Sequence, residues 1–134
     1  ALSPEQLKKA QDVMRQVVSE HLPQTDATIT FGEGYPPLAP SKGNYELLAA
    51  FNKVSLDLGF GEVKAVNPRD AGAADISFTA GYVDMAIDGL GLSGDDGHTD
   101  QETADLRMLP MQTKRAAILL YRLTREATSL EPRK

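Results

Sequence analysis

Apolar positions recur at helical spacing in three stretches of the chain and alternate or run together in three others. Leu7, Ala10, Met14, Val17 and Val18 share one helix face, with Lys8, Lys9, Asp12, Arg15 and Glu20 opposite. Ser3 can cap this helix, Pro4 suits its first position and Gln6 completes a capping-box pattern. Pro23 cannot continue it, so an end near His21-Leu22 is expected. A second helix carries Leu47, Leu48, Phe51, Val54, Ser55 and Leu58, with Asn44 as its expected cap and Gly59 just past its end. The last element runs from about Asp105 or Pro110 to about Ala127. Its stripe is Leu109, Ala116, Leu120 and Leu123, widened by Ala117 and Leu119.

Three shorter runs read as strands. Ala27 to Phe31 is β-branched and alternating, Glu62 to Val66 is short, and Met85 to Leu90 is apolar enough to be buried on both faces. A turn-rich loop, Asn67 to Asp75, leads into a short helix near Ile76 to Tyr82. After Gly43 the order is therefore α-β-α-β-α, which predicts an α/β fold with right-handed crossovers and a mostly parallel sheet. Before it stand one helix and one strand, which cannot bury an apolar face between them and so call for a partner outside the chain. The two parts are separated by Gly32 to Gly43, with three prolines and three glycines in twelve residues. This stretch reads as a semi-rigid linker, or as a connection lining a cleft with Tyr35 and the Pro36-Pro37 pair as its apolar wall.

Composition narrows the picture. The 134 residues are 41% hydrophobic and 25% charged, so a packed core is expected rather than global disorder. A net charge of −5 and no basic cluster before the Glu131 to Lys134 tail argue against nucleic acid as a partner. No apolar run approaches the roughly 20 residues that span a bilayer, so a soluble chain without a membrane partner is expected. Its compartment stays open. Cysteine is absent, so any metal must be held by His and carboxylates. The chain opens at Ala1 with no signal-peptide pattern, which reads as a processed N-terminus or a fragment.

The chemistry concentrates in Gly94 to Glu102. His98, one of two histidines, stands there between glycines and carboxylates, after a strand-like run and before a long helix. In a parallel sheet the loops at the carboxyl ends of strands carry ligands. His98 follows one such run and Asp75 lies in the loop after the other. Imidazole is a good zinc ligand when neutral. Alone, one His with scattered carboxylates does not make a metal site. The other histidine, His21, reads as a cap residue at a helix C-terminus, with a second metal ligand as the alternative.

An ordered set of motifs changes the weight of His98. Tyr35-Pro36-Pro37-Leu38-Ala39-Pro40 is followed by Gly72-Ala73-Ala74-Asp75-Ile76-Ser77-Phe78, then by Asp88-Gly89-Leu90-Gly91. Gly97-His98-Thr99 comes next, with Glu102, Asp105 and Leu106, and then Lys114-Arg115-Ala116-Ala117 with Arg122-Leu123. In that order and spacing the chain resembles the C-terminal part of the zinc aminoacylase/carboxypeptidase family, which includes glutamate carboxypeptidase and succinyl-diaminopimelate desuccinylase. The likeness covers essentially the full chain.

The resemblance implies a domain plan. Residues 1–31 would end an inserted α+β lid or dimerisation domain, 32–43 would be the Pro/Gly linker, and 44–134 would be the C-terminal part of the catalytic domain. It also implies two zinc ions per intact site, of which this chain contacts one through His98. The other ligands and the general-base Glu would lie elsewhere in the same enzyme, so Asp95, Asp96 and Glu102 take no such role. Gly72, Ala73 and Asp75 match a segment that lies beside the substrate. Ala here replaces that segment's hydroxyl residues, which leaves backbone N–H groups at a helix start as possible anion donors. Asp75 has a second reading as a helix cap. Asp95-Asp96, where relatives often carry glycines, read as solvated loop charge, or as a partner that supports His98, or as a source of repulsion toward acidic substrates. Arg107 and the Lys114-Arg115 pair read as surface residues of the last helix.

The implied activity is zinc-dependent hydrolysis of a peptide or N-acyl amide bond next to a free carboxylate. The metal pair would activate a bridging water while a Glu shuttles the proton. The chain alone is expected to be inactive, and a homodimer through the lid domain is implied. A non-catalytic binding or assembly module that keeps the fold without metal is the alternative, and a stand-alone α/β domain a third.

Overall fold

The computed structural model describes residues 1–72 and 74–128. Three α-helices and two short 3₁₀ turns account for its regular structure: α1 (Pro4–Ser19), α2 (Lys42–Asp57), a turn at Asp75–Thr79, a turn at Leu106–Met108, and α3 (Leu109–Thr128). No strand forms among the described residues. The expected α/β fold with a mostly parallel sheet is therefore corrected to an all-helical arrangement joined by extended segments.

The physical reason lies in what alternation can and cannot specify. Apolar, β-branched runs favour extended backbone, but a strand also needs a neighbour to exchange N–H and C=O groups with. Here the extended runs find side chains instead. The Val63 N–H donates to Asn52 Oδ1 at 2.8 Å, and the Ala86 N–H donates to Asn44 Oδ1 at 2.9 Å. Both asparagines belong to α2. On the other side Gln112 of α3 donates its Nε2–H to the Gly91 carbonyl at 2.8 Å.

α2 and α3 pack on one another and build the core. Phe51, Val54 and Leu119 are buried, flanked by Leu47, Ala50, Leu58, Val63, Ile87, Leu90 and Ile118. On α2 the buried face follows the predicted stripe. Its cap does not: Ser41, not Asn44, accepts the Asn44 N–H on its hydroxyl at 3.1 Å. Asn44 sits in the first turn, which leaves its amide free to hold Ala86. Gly43 must be glycine because a methyl group there would collide with the Asp84 carbonyl oxygen.

The C-terminus of α2 closes as a Schellman motif. Gly59 takes φ +73, its N–H donates to the Leu56 carbonyl at 3.0 Å, and the Phe60 N–H donates to the Ser55 carbonyl at 2.9 Å. Arg115 of α3 grips this cap and is only 7% exposed. Its guanidinium donates to Ser55 Oγ at 3.0 Å, to the Phe60 carbonyl at 3.0 Å and to Gln112 Oε1 at 3.1 Å. The expectation that Arg115 is a surface residue is thus corrected. The carbonyl-rich end of α2 is a favourable place for a cation, and every acceptor around it is neutral.

Burying Arg115 turns α3 away from its expected register. Its inward face carries Arg115, Ile118 and Leu119, while Leu109 and Leu123 remain exposed and Leu120 is 63% exposed. Arg122, on the same inward side, pairs with Asp57 Oδ2 at 2.7 Å, and Lys53 reaches the same carboxylate at 3.1 Å.

Among the described residues α1 stands apart from this core and packs on neither α2 nor α3. Ser3 accepts the Gln6 N–H at 3.2 Å, and Gln6 Oε1 returns the favour one residue early, to the Leu2 N–H at 2.9 Å. The helix ends at Ser19, before the expected His21-Leu22, as the Ser19 hydroxyl bonds back to the Gln16 carbonyl at 2.7 Å. None of its residues is buried, so Leu7, Val13, Met14 and Val17 show their apolar face. Arg15 lies over the Phe31 ring, 4.9 Å from its centroid, and links α1 to the extended segment after it.

Candidate functional site

His98 occupies the tip of a loop closed at its neck. The Asp105 N–H donates to the Ser93 carbonyl at 2.8 Å and the Thr103 N–H to the Asp95 carbonyl at 3.1 Å. Gly94 makes this neck possible, since a methyl group there would run into the Thr103 carbonyl oxygen. Beyond the neck the chain turns sharply. Asp96 has φ +55 and His98 φ +66, both in the left-handed region that favours glycine. Thr99 fixes the turn by donating its N–H and hydroxyl to the Asp96 carbonyl, at 3.1 and 2.7 Å. The His98 side chain is exposed and makes no hydrogen bond among the described residues. Among the described residues neither Asp95 nor Asp96 gives it a carboxylate hydrogen bond, so the reading of these aspartates as its partners is not realised there.

Below the neck Asp105 caps the 3₁₀ turn that opens α3, accepting the Arg107 N–H at 3.0 Å. Arg107 also grips both its oxygens at 2.8 Å. These hydrogen bonds, the side-chain ones first, hold the Asp105 carboxyl below the usual aspartate range.

The second candidate region forms around Asp75. The expected helix near Ile76 to Tyr82 is a five-residue 3₁₀ turn, Asp75–Thr79, with Ala74 as its cap residue. That turn is too short to gather donors for an anion, and Asp75 already places a negative charge in its first turn. The cap reading of Asp75 is corrected as well. Its Oδ1 accepts the Tyr35 hydroxyl at 2.9 Å, across 40 residues of sequence. That hydrogen bond, with the carboxylate charge beside it, raises the Tyr35 phenol above its usual value.

Tyr35 and Phe78 stand with ring centroids 5.3 Å apart and planes inclined by 54°. Together with Glu33, Gly34 and Pro36 they line an open hollow of about 480 Å³. Tyr35 and Pro36 thus form an apolar wall. Phe78, which ends the Gly72 to Phe78 motif without a role of its own there, and Glu33 of the Gly32 to Gly43 stretch complete the hollow. The spacing of Phe78 from Asp75, one turn of a tight helix, was the signal available for the former. Ser77, between them, is buried with its hydroxyl unpartnered among the described residues. Gly72 is exposed, and Ala73 lies outside the described residues.

No hydrogen bond or ion pair joins the His98 loop to the Tyr35–Asp75 region among the described residues. They also contain no group of three His, Asp or Glu side chains arranged to hold a metal ion. A catalytic zinc site takes about three protein ligands. Among the described residues His98 is not joined by two further side chains of these types in such a group. No helix among the described residues is long and apolar enough to cross a membrane. No family model, curated protein or solved structure matches the chain.

Proposed function

We propose that this chain contributes one zinc ligand, His98, to a dinuclear zinc hydrolase whose other ligands and general base lie outside the chain. The reaction is hydrolysis of a peptide or N-acyl amide bond next to a free carboxylate. The reading rests on the ordered motifs from Tyr35 to Leu123. The observation that supports it best is the presentation of His98: an exposed imidazole with no internal partner, on a loop whose neck is tied by backbone hydrogen bonds. A ring free of internal bonds keeps its nitrogens available to a metal. The proposed partners are a small peptide or N-acyl amino acid, the rest of the same enzyme, and a second copy through residues 1–31, where α1 leaves Leu7, Val13, Met14 and Val17 uncovered.

The test compares the whole enzyme with its His98→Ala variant for zinc content and for hydrolysis of N-acyl amino acids. The expected result is loss of one of two zinc equivalents together with the activity, and no activity from residues 1–134 alone. Full zinc and full activity in the variant would overturn the reading. That outcome favours a non-catalytic assembly module, for which the uncovered apolar face of α1 is the supporting feature.

A further inference from the structure

Some carboxylates and some aromatic rings of the chain are met internally by a Lys or Arg. Asp12, Glu46, Asp57, Glu62 and Asp105 each pair with a Lys or Arg. Phe31, Phe60 and Tyr121 each carry an arginine guanidinium over the ring, at 4.9, 5.7 and 4.9 Å. Around Tyr35 and Phe78 neither kind of pairing is made among the described residues. Tyr35 and Phe78 present two inclined faces with no cation over either ring, and Glu33 beside them has no ion-pair partner among the described residues. Asp75 likewise has no cation. Its Oδ1 accepts the Tyr35 O–H hydrogen bond, which sets a carboxylate beside the phenol.

We infer that the hollow lined by Glu33, Gly34, Tyr35, Pro36 and Phe78 is a binding site for a small organic cation, of the quaternary ammonium or guanidinium class. Aromatic faces attract such cations through their negative quadrupole, more strongly when the cation is poorly hydrated. A phenol donating its proton to a carboxylate has a more electron-rich ring than a free one. Both rings line the hollow, inclined to one another, and Glu33 adds a carboxylate to the lining. At about 480 Å³ the hollow has room for a group of this size. The two carboxylates disfavour anions, and the open, charged rim disfavours a purely apolar guest. The hollow needs no zinc, so its test is separate from that of His98.

The probes are choline chloride and neohexyl alcohol, its uncharged analogue of the same shape. The full chain is titrated with each at constant ionic strength, following backbone amide signals by NMR. Choline is expected to shift the Gly34, Tyr35 and Phe78 amides saturably, and to bind about fivefold or more tighter than the alcohol. Phe78→Leu is expected to weaken choline binding about two- to fivefold. Glu33→Gln is expected to weaken it and to flatten its salt dependence. Both positions are exposed, so the variants keep the fold. Equal binding of alcohol and choline, choline binding unchanged in both variants, or no saturable shift would each overturn the inference.

Discussion

Arg115 of α3 donates its Nε–H to the Ser55 hydroxyl of α2 at 3.0 Å, and that hydroxyl in turn donates to the Gly61 carbonyl at 2.5 Å. Ser55 thus uses both its donor and its acceptor in a fully buried place, and the guanidinium closes the cap of the neighbouring helix. Removing Arg115 leaves the Phe60 carbonyl and Ser55 with fewer partners. Arg115→Met should cost about 1–3 kcal/mol. Arg115→Lys should restore little, because an ammonium cannot reach three acceptors with one planar fork. A double-mutant cycle with Ser55→Ala in urea denaturation should give a coupling of about 0.5–3 kcal/mol. Additive effects would show that the two residues act independently.

The close approaches at Gly43 and Gly94 should make each intolerant of alanine. In both cases the new methyl group meets a backbone carbonyl oxygen, of Asp84 and Thr103 respectively, which cannot swing aside as a side chain can. Gly43→Ala is expected to lower the urea midpoint by the equivalent of about 1–3 kcal/mol. Gly94→Ala should open the loop neck, seen as faster amide exchange at Thr103 and Asp105. Unchanged exchange at both would mean that the neck does not depend on this contact.

His98 allows stability and ligation to be separated. At φ +66 an alanine is about as strained as the histidine, whereas glycine is not. His98→Gly should therefore be more stable than His98→Ala by on the order of 1 kcal/mol. Both should lose any zinc held through the imidazole. Equal stability of the two variants would argue that the loop relaxes out of this backbone conformation.

Tyr35 should titrate late. Its folded value is raised by the Asp75 hydrogen bond, so the stabilisation is present below the ordinary phenol value of about 10 and lost as pH rises through the folded one. Ultraviolet titration of the chain should show a phenol component above the ordinary value of about 10. In Asp75→Asn that component should fall back toward about 10. Identical curves for both proteins would remove the hydrogen bond from the account.

Asp57 has the opposite sign. Arg122 first, then Lys53, holds its carboxyl below the usual range. The contribution is present above the ordinary aspartate value of about 3.9 and disappears as pH falls through the lower folded one. Near neutral pH, Asp57→Asn should unfold at lower temperature than the parent, and the gap should close in acid. A gap independent of pH would point to packing rather than charge.

Much of the helical structure was legible in the sequence, because it depends on near neighbours. Ser3 and Pro4 start α1, and the stripe from Leu47 to Leu58 gives α2 its buried face. The absence of a sheet is not legible because Glu62 to Val66 and Met85 to Leu90 encode extended backbone without encoding a partner. The register of α3 is not legible because its leucines outweigh one arginine in any count of apolar positions. Only the cap of α2, 55 to 60 residues earlier, shows that the arginine belongs inside. At the candidate site His98 stood out through its glycines, while the Tyr35–Asp75 pair joins two loops whose meeting no local pattern announces.

The two asparagines of α2 have a geometric consequence. Asn44 and Asn52 lie eight residues apart, about 12 Å along the helix axis. Neighbouring strands in a ladder lie about 4.8 Å apart. Ala86 and Val63 are instead each held to α2, at points about two turns apart. The helix takes the backbone donor that a neighbouring strand would otherwise claim from each segment.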